Sequence, residues 1–214
     1  MALKRKSPKG NGGGSKVVSG ILQDGAEVEA RLVYVADLGL QERIYKGDVK
    51  PPAQQLALGF EIIGEIVELE DGDKIPKVMW TNPFNIFHEL TDKGKELVYY
   101  KVFSPAAKAG EVADWEMALG MPCNITVSHF TNKENATYDN IGAITPIPKK
   151  YQDAVGQATI EPCIGDSEDE ENPCTKALFG LAKYVWEKRI VDDEDNCGVY
   201  TPEPYQADGD DVPF

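Results

Sequence analysis

The sequence holds few of the residues from which metal and catalytic centres are built. Its only histidines, His88 and His129, lie far apart, and Cys123, Cys163, Cys174 and Cys197 show no CxxC spacing. No zinc site is expected from such a set. A Gly-rich phosphate loop, a Walker motif and a nucleophile elbow are also missing, and Gly12-Gly13-Gly14 follow no apolar strand pattern. Neither histidine sits in a recognisable acid–base constellation. The chain therefore reads as a non-enzyme with no metal and no cofactor. Long apolar runs and a signal-peptide pattern are lacking as well, which points to a cytoplasmic protein with reduced thiols and no membrane partner. The Asn-x-Thr matches at Asn124 and Asn135 then carry no glycan.

Positive charge is scarce: 22 basic against 36 acidic side chains give a net charge of -14. The deficit is uneven. The first 22 residues hold Lys4, Arg5, Lys6, Lys9 and Lys16 and no acid, whereas 192–214 holds eight acids and no base. A second base-free stretch, 161–172, carries Glu161, Asp166, Glu168, Asp169, Glu170 and Glu171. Setting these three segments aside leaves 17 basic against 22 acidic side chains, a net of -5, which is compatible with one basic face. With 42% hydrophobic residues the remainder supports a real core. The expected organisation is a disordered basic arm (1–22), one folded domain (23–191) with an acidic loop (161–172), and a disordered acidic tail (192–214).

Periodicity and breakers predict mainly β structure. A strand is expected from Glu27 to about Leu38, then a loop over 45–55 broken by Gly47 and Pro51-Pro52. Further strands are expected over about 55–69, with Gly59 and Gly64 as bulges, over 77–80, and over the run ELVYYKVFSP. Pro83 to Phe87 reads as a short helix or irregular segment. A short helix over 114–119 and a hairpin of 123–130 with 136–147 follow. Asn172-Pro173 resembles a helix start, and Thr175 to Val191 has the apolar spacing of an amphipathic helix. Unequal strands, bulge-like glycines and one late helix suggest a small OB-fold-like Greek-key barrel.

Binding single-stranded nucleic acid without sequence preference takes flat rings for stacking beside cations that follow the backbone. Three places supply that pairing. Arg43, Tyr45, Lys46 and Lys50 lie in the first long loop, Lys77, Trp80 and Phe84 in the middle, and Tyr99, Lys101 and Phe103 on one face of the ELVYYKVF strand. Lys133 adds a contact from the hairpin turn. Phe60, Trp115 and Trp186 read as packing residues. In the tail, Asp208, Asp210 and Asp211 precede the apolar plug Val212, Pro213 and Phe214, a peptide suited to a partner's pocket with a basic rim.

The ending DDVPF resembles the C-terminal tip of bacterial and phage single-stranded DNA-binding proteins. KPPAQQLALGFEI, WTNPFNIFHELTDKGKELVYYKVF and YDNIGAITPIP are similar to the body of a single-stranded DNA-binding family of tailed bacteriophages, over roughly Arg31 to Pro148. The resemblance implies an OB-fold that binds single-stranded DNA in phage replication or recombination, in the host cytoplasm. It also implies recruitment of phage or host replication and recombination proteins through the tail. Self-association on DNA is compatible with it, and RNA remains an alternative ligand. Two other readings stand beside it: an acidic β-barrel interaction protein, such as a DNA mimic or virion assembly factor, and a metal-dependent nuclease.

Overall fold

A computed structural model describes residues 21–69, 72–133 and 135–191, and only the backbone of Tyr45. Nearly all of the basic arm and the whole acidic tail, with Asp208, Asp210, Asp211, Val212, Pro213 and Phe214, lie outside the described residues.

Two long strands organise the molecule. β1 (Glu27–Tyr45) starts where the alternation begins and runs past the expected end, and β2 (Asp48–Glu68) pairs with it antiparallel. The expected loop over 45–55 shrinks to the turn Lys46-Gly47. Pro51-Pro52 do not break the pairing, for two reasons. The register shift between Gln41 and Arg43 absorbs the one extra residue of β2, and this end of β2 precedes its pairing with any second strand. A missing N–H costs no ladder bond at such an edge.

β3 (Lys74–Trp80) and the short β4 (Phe84–Asn85) add to β2, while β5 (Pro122–Thr131) pairs with β1 and forms the expected hairpin with β6 (Thr137–Pro146). β7 (Cys163–Gly165), inside the segment expected as an acidic loop, lies parallel to β1. The sheet order is β3-β2-β1-β5-β6, and the sheet is not closed. Its edge strands β3 and β6 meet through side chains: Lys77 Nζ lies 2.6 Å from Asp139 Oδ2. The mainly-β expectation holds; a barrel closed by hydrogen bonds does not form.

Leu32 and Val33 are consecutive and both fully buried, because β1 is covered on both faces. One face carries Leu32, Leu58, Phe60, Ile62 and Ile125. It packs on α1 (Lys95–Phe103) and α2 (Trp115–Ala118). The other carries Val33, Ala36, Leu38 and Ala57 against Cys174, Leu178 and Ala182. These last come from α4 (Pro173–Lys176), α5 (Gly180–Glu187) and their junction. A four-residue helix, α3 (Lys149–Gln152), precedes this layer.

A charged latch holds the second layer. Arg31 and Glu61 are cross-strand partners on β1 and β2, both buried. The Arg31 guanidinium donates to the carbonyls of Gly120 (2.6 Å), Val155 (3.0 Å) and Gly156 (2.7 Å). The Glu61 carboxylate accepts from Thr159 N (2.9 Å), Thr159 Oγ1 (2.9 Å) and Ile160 N (2.8 Å). One charge pair thus satisfies both kinds of backbone group in the incoming segment, as burial requires.

The ELVYYKVF strand is the clearest correction: 95–103 is α1. Its buried residues Glu96, Leu97, Tyr100 and Phe103 recur at helical spacing and fill the space over Phe60, so packing overrides the β-branched and aromatic composition. α2 forms as expected, capped by the Asp114 side chain, and the Asn172 cap with Pro173 at the first turn forms as well. The single helix expected over 175–191 is instead two short ones, α4 and α5.

Candidate nucleic-acid interface

Two hairpin tips bring cations to the surface, and one of them also carries exposed rings. In the β1–β2 tip, Tyr45 pairs with Asp48 around Lys46 (φ 53°) and Gly47 (φ 84°), the two left-handed residues of a type I′ turn. Arg43 and Lys50 are direct cross-strand partners, as are the exposed Ile44 and Val49. Like charges placed opposite each other repel. Among the described residues Lys50 is offset by Asp48 at 3.4 Å, an exposed pair worth little. The tip is a ribbon end whose cations Arg43, Lys46 and Lys50 are suited to an anion.

The β5–β6 tip is built differently. Thr131 and Thr137 meet through their hydroxyls at 3.2 Å, Asn132 Oδ1 accepts from Ala136 N, and Lys133 is exposed in the turn. Just inside it, Phe130 and Tyr138 are cross-strand partners, 41% and 49% exposed. Their neighbours His129 and Asp139 turn to the opposite face, where Asp139 also meets Lys77, Leu22 N and His129 Nε2. Alternation in ITVSHF already places Phe130 opposite Ile125 and Val127. The sequence reading missed the pair because a phenylalanine in a strand is more often core.

The remaining expected contacts are dispersed. Lys77 is buried in its ion pair with Asp139. Trp80 is half-buried and stacks in parallel on Tyr34, with centroids 5.6 Å apart, in the core that also holds Ala158, Ile160 and Cys163. Gly59 permits this stack, since a Cβ there would stand 3.0 Å from Tyr34 Cβ and 3.1 Å from the Trp80 ring. Burial pushes the Tyr34 hydroxyl up to about 12, helped by the nearby Cys163, Cys174 and Glu61.

Phe84 is 3% exposed and meets Tyr99 edge-on at 5.0 Å, and Phe103 is buried over Phe60. As placed, neither phenylalanine offers a face to a base. Tyr99 is half-buried, and burial raises its hydroxyl pKa. Lys101 is exposed on α1, on a different side from Phe103.

The structure thus gathers Arg43, Lys46 and Lys50 at one tip and joins Lys133 to an unforeseen ring pair at the other. The antiparallel register puts the two tips at opposite ends of β1. Among the described residues no three His, Cys, Asp or Glu side chains converge as a metal site, and no helix is long and apolar enough to cross a membrane. Comparison with family models, curated proteins and solved structures finds no match to this chain.

Proposed function

We propose that this chain binds single-stranded DNA without sequence preference and protects it in phage replication or recombination, with the acidic tail recruiting partner proteins. The observation that carries the reading is the exposed Phe130–Tyr138 pair beside Lys133. Rings this exposed lose little packing when a base stacks on them, and a cation in the adjoining turn suits the phosphate that follows.

The strand path supports an OB-type architecture. A three-strand meander is followed by helices and a hairpin that returns beside β1, and the second strand of that hairpin, β6, meets β3 through the Lys77–Asp139 pair without closing the sheet. A partly open five-strand Greek key has this path. Here the outer face of β1 and β2 is covered by 155–190, so binding shifts to the two tips and the uncovered β5–β6 hairpin.

The test is a titration with oligothymidine. Phe130→Ala and Tyr138→Ala should each weaken binding by about 1–3 kcal/mol, roughly 5- to 150-fold. Their melting temperatures should stay near that of the parent, since exposed substitutions usually change stability by about 0.5 kcal/mol or less. Unchanged affinity in both variants rejects the ring pair as the platform.

The burial of Lys77, Phe84 and Phe103 favours a second reading, an acidic β-sheet interaction protein whose aromatics are core. Such a protein ignores oligothymidine at every salt concentration.

A further inference from the structure

An apolar groove of about 730 Å³ opens on the side of the molecule where β1, β2, α2 and β7 meet. Val35, Leu56, Ile86 and Ile164 contribute its apolar floor, and Asp37, Asp114, Glu116 and Asp166 stand around it. Among the described residues no lysine or arginine pairs with any of these four carboxylates. Asp37 accepts from Gly39 N and Gln54 Nε2, Asp114 caps α2, and Asp166 accepts from Glu168 N, so three are fixed in place by neutral donors. An apolar floor with a negative rim suits a peptide that is both apolar and cationic.

The chain contains one such peptide. Met1-Ala2-Leu3-Lys4-Arg5-Lys6 puts two sizeable apolar side chains next to three cations, and no acid occurs before Asp24. We propose that the groove is the docking site of this chain's own arm, with Leu3 on the apolar floor and Lys4, Arg5 and Lys6 against the rim.

The arm is long enough. Strand geometry puts Glu27 about 26 Å from Val35 along β1. The 15 to 17 residues from Ile21 back to Lys6 and Lys4 reach about 50–56 Å when extended. As a Gly-rich coil they span roughly 20–24 Å on average, somewhat short of that distance, so docking takes a partly extended arm. Docking within one chain also works at an effective concentration near the millimolar range, which weak contacts can exploit. Once docked, the cations of the arm are withdrawn from other anions. No step of this requires that the protein bind nucleic acid.

The full chain is treated with a carbodiimide, which joins lysine amines to carboxylates in contact, at about 50 mM salt, where screening is weak. Mass spectrometry of the monomer should find Lys4, Lys6 or Lys9 joined to Asp37, Asp114, Glu116 or Asp166. Glu116→Arg, whose folding is checked by thermal melting, should lower these yields at least fivefold. Leu3→Asp, which leaves the groove untouched, should lower them similarly. Links that run instead to acids in 192–214, or that keep their yield in both variants, overturn the proposal. Links joining heavy to light chains in a mixture of ¹⁵N-labelled and unlabelled protein overturn docking within one chain.

Discussion

Glu96 is a carboxyl group enclosed by α1 and α2, accepting from Trp115 Nε1 at 3.3 Å. Burial raises its pKa, and the bonds from Trp115 and the Phe87 backbone only partly offset that. The native state therefore holds the proton more tightly than the unfolded chain. Its contribution to stability is greatest below the unfolded pKa and is lost as pH rises through the folded one. Glu96→Gln keeps an acceptor for Trp115 without a buried charge. It should raise the melting temperature at pH 7, by no more than about 1 kcal/mol in stability, with the gain shrinking towards pH 4. A loss of stability at pH 7 contradicts this. Glu61 is also buried, and its carboxylate oxygens accept from Thr159 and Ile160. Glu61→Ala strands the amides of Thr159 and Ile160 and leaves Arg31 without its acidic neighbour. Urea unfolding should show a loss of about 3 kcal/mol or more.

Among the elements, the β1–β2 ribbon shows how a turn can serve two ends. Lys46 occupies a left-handed position that asparagine fills with less strain. Lys46→Asn should stabilise the protein by about 0.5–1 kcal/mol while weakening binding to oligothymidine, because one cation is lost. A parallel rise in both quantities removes this tip from the interface. The ribbon was partly legible: Gly47 marked a turn, but Pro51-Pro52 read as a loop because nothing local shows that their side of β2 lacks a partner there. The β5–β6 hairpin was fully legible, since alternation and the polar turn agree. α1 was not, because Val98, Tyr99, Tyr100 and Val102 suit strands and only the cavity over Phe60 selects the helical spacing.

For the whole molecule, segregation of charge makes the net charge of -14 compatible with the proposed nucleic-acid interface. Binding should weaken with salt, and each neutralised contact among Arg43, Lys46, Lys50 and Lys133 should reduce the slope of log affinity against log salt by about 0.7. Removal of 192–214 should strengthen duplex binding and weaken the preference for single strands, as read by paired titrations, because the tail no longer competes for the cations. Unchanged affinities for both DNA forms count against any competition by the tail.

The sequence alone determined the charge segregation, the β-rich class, the β5–β6 hairpin and the helix start at Asn172, because each rests on a local pattern of charge, alternation or capping. The tertiary structure decided which rings are exposed. Phe84, Trp80 and Phe103 look as available in the sequence as Phe130 and Tyr138, yet the first three are taken up by the two cores and the last pair is left at an uncovered tip. Exposure depends on what packs against a face, here α1 on one side of the sheet and 155–190 on the other. Those contacts join residues far apart in the chain.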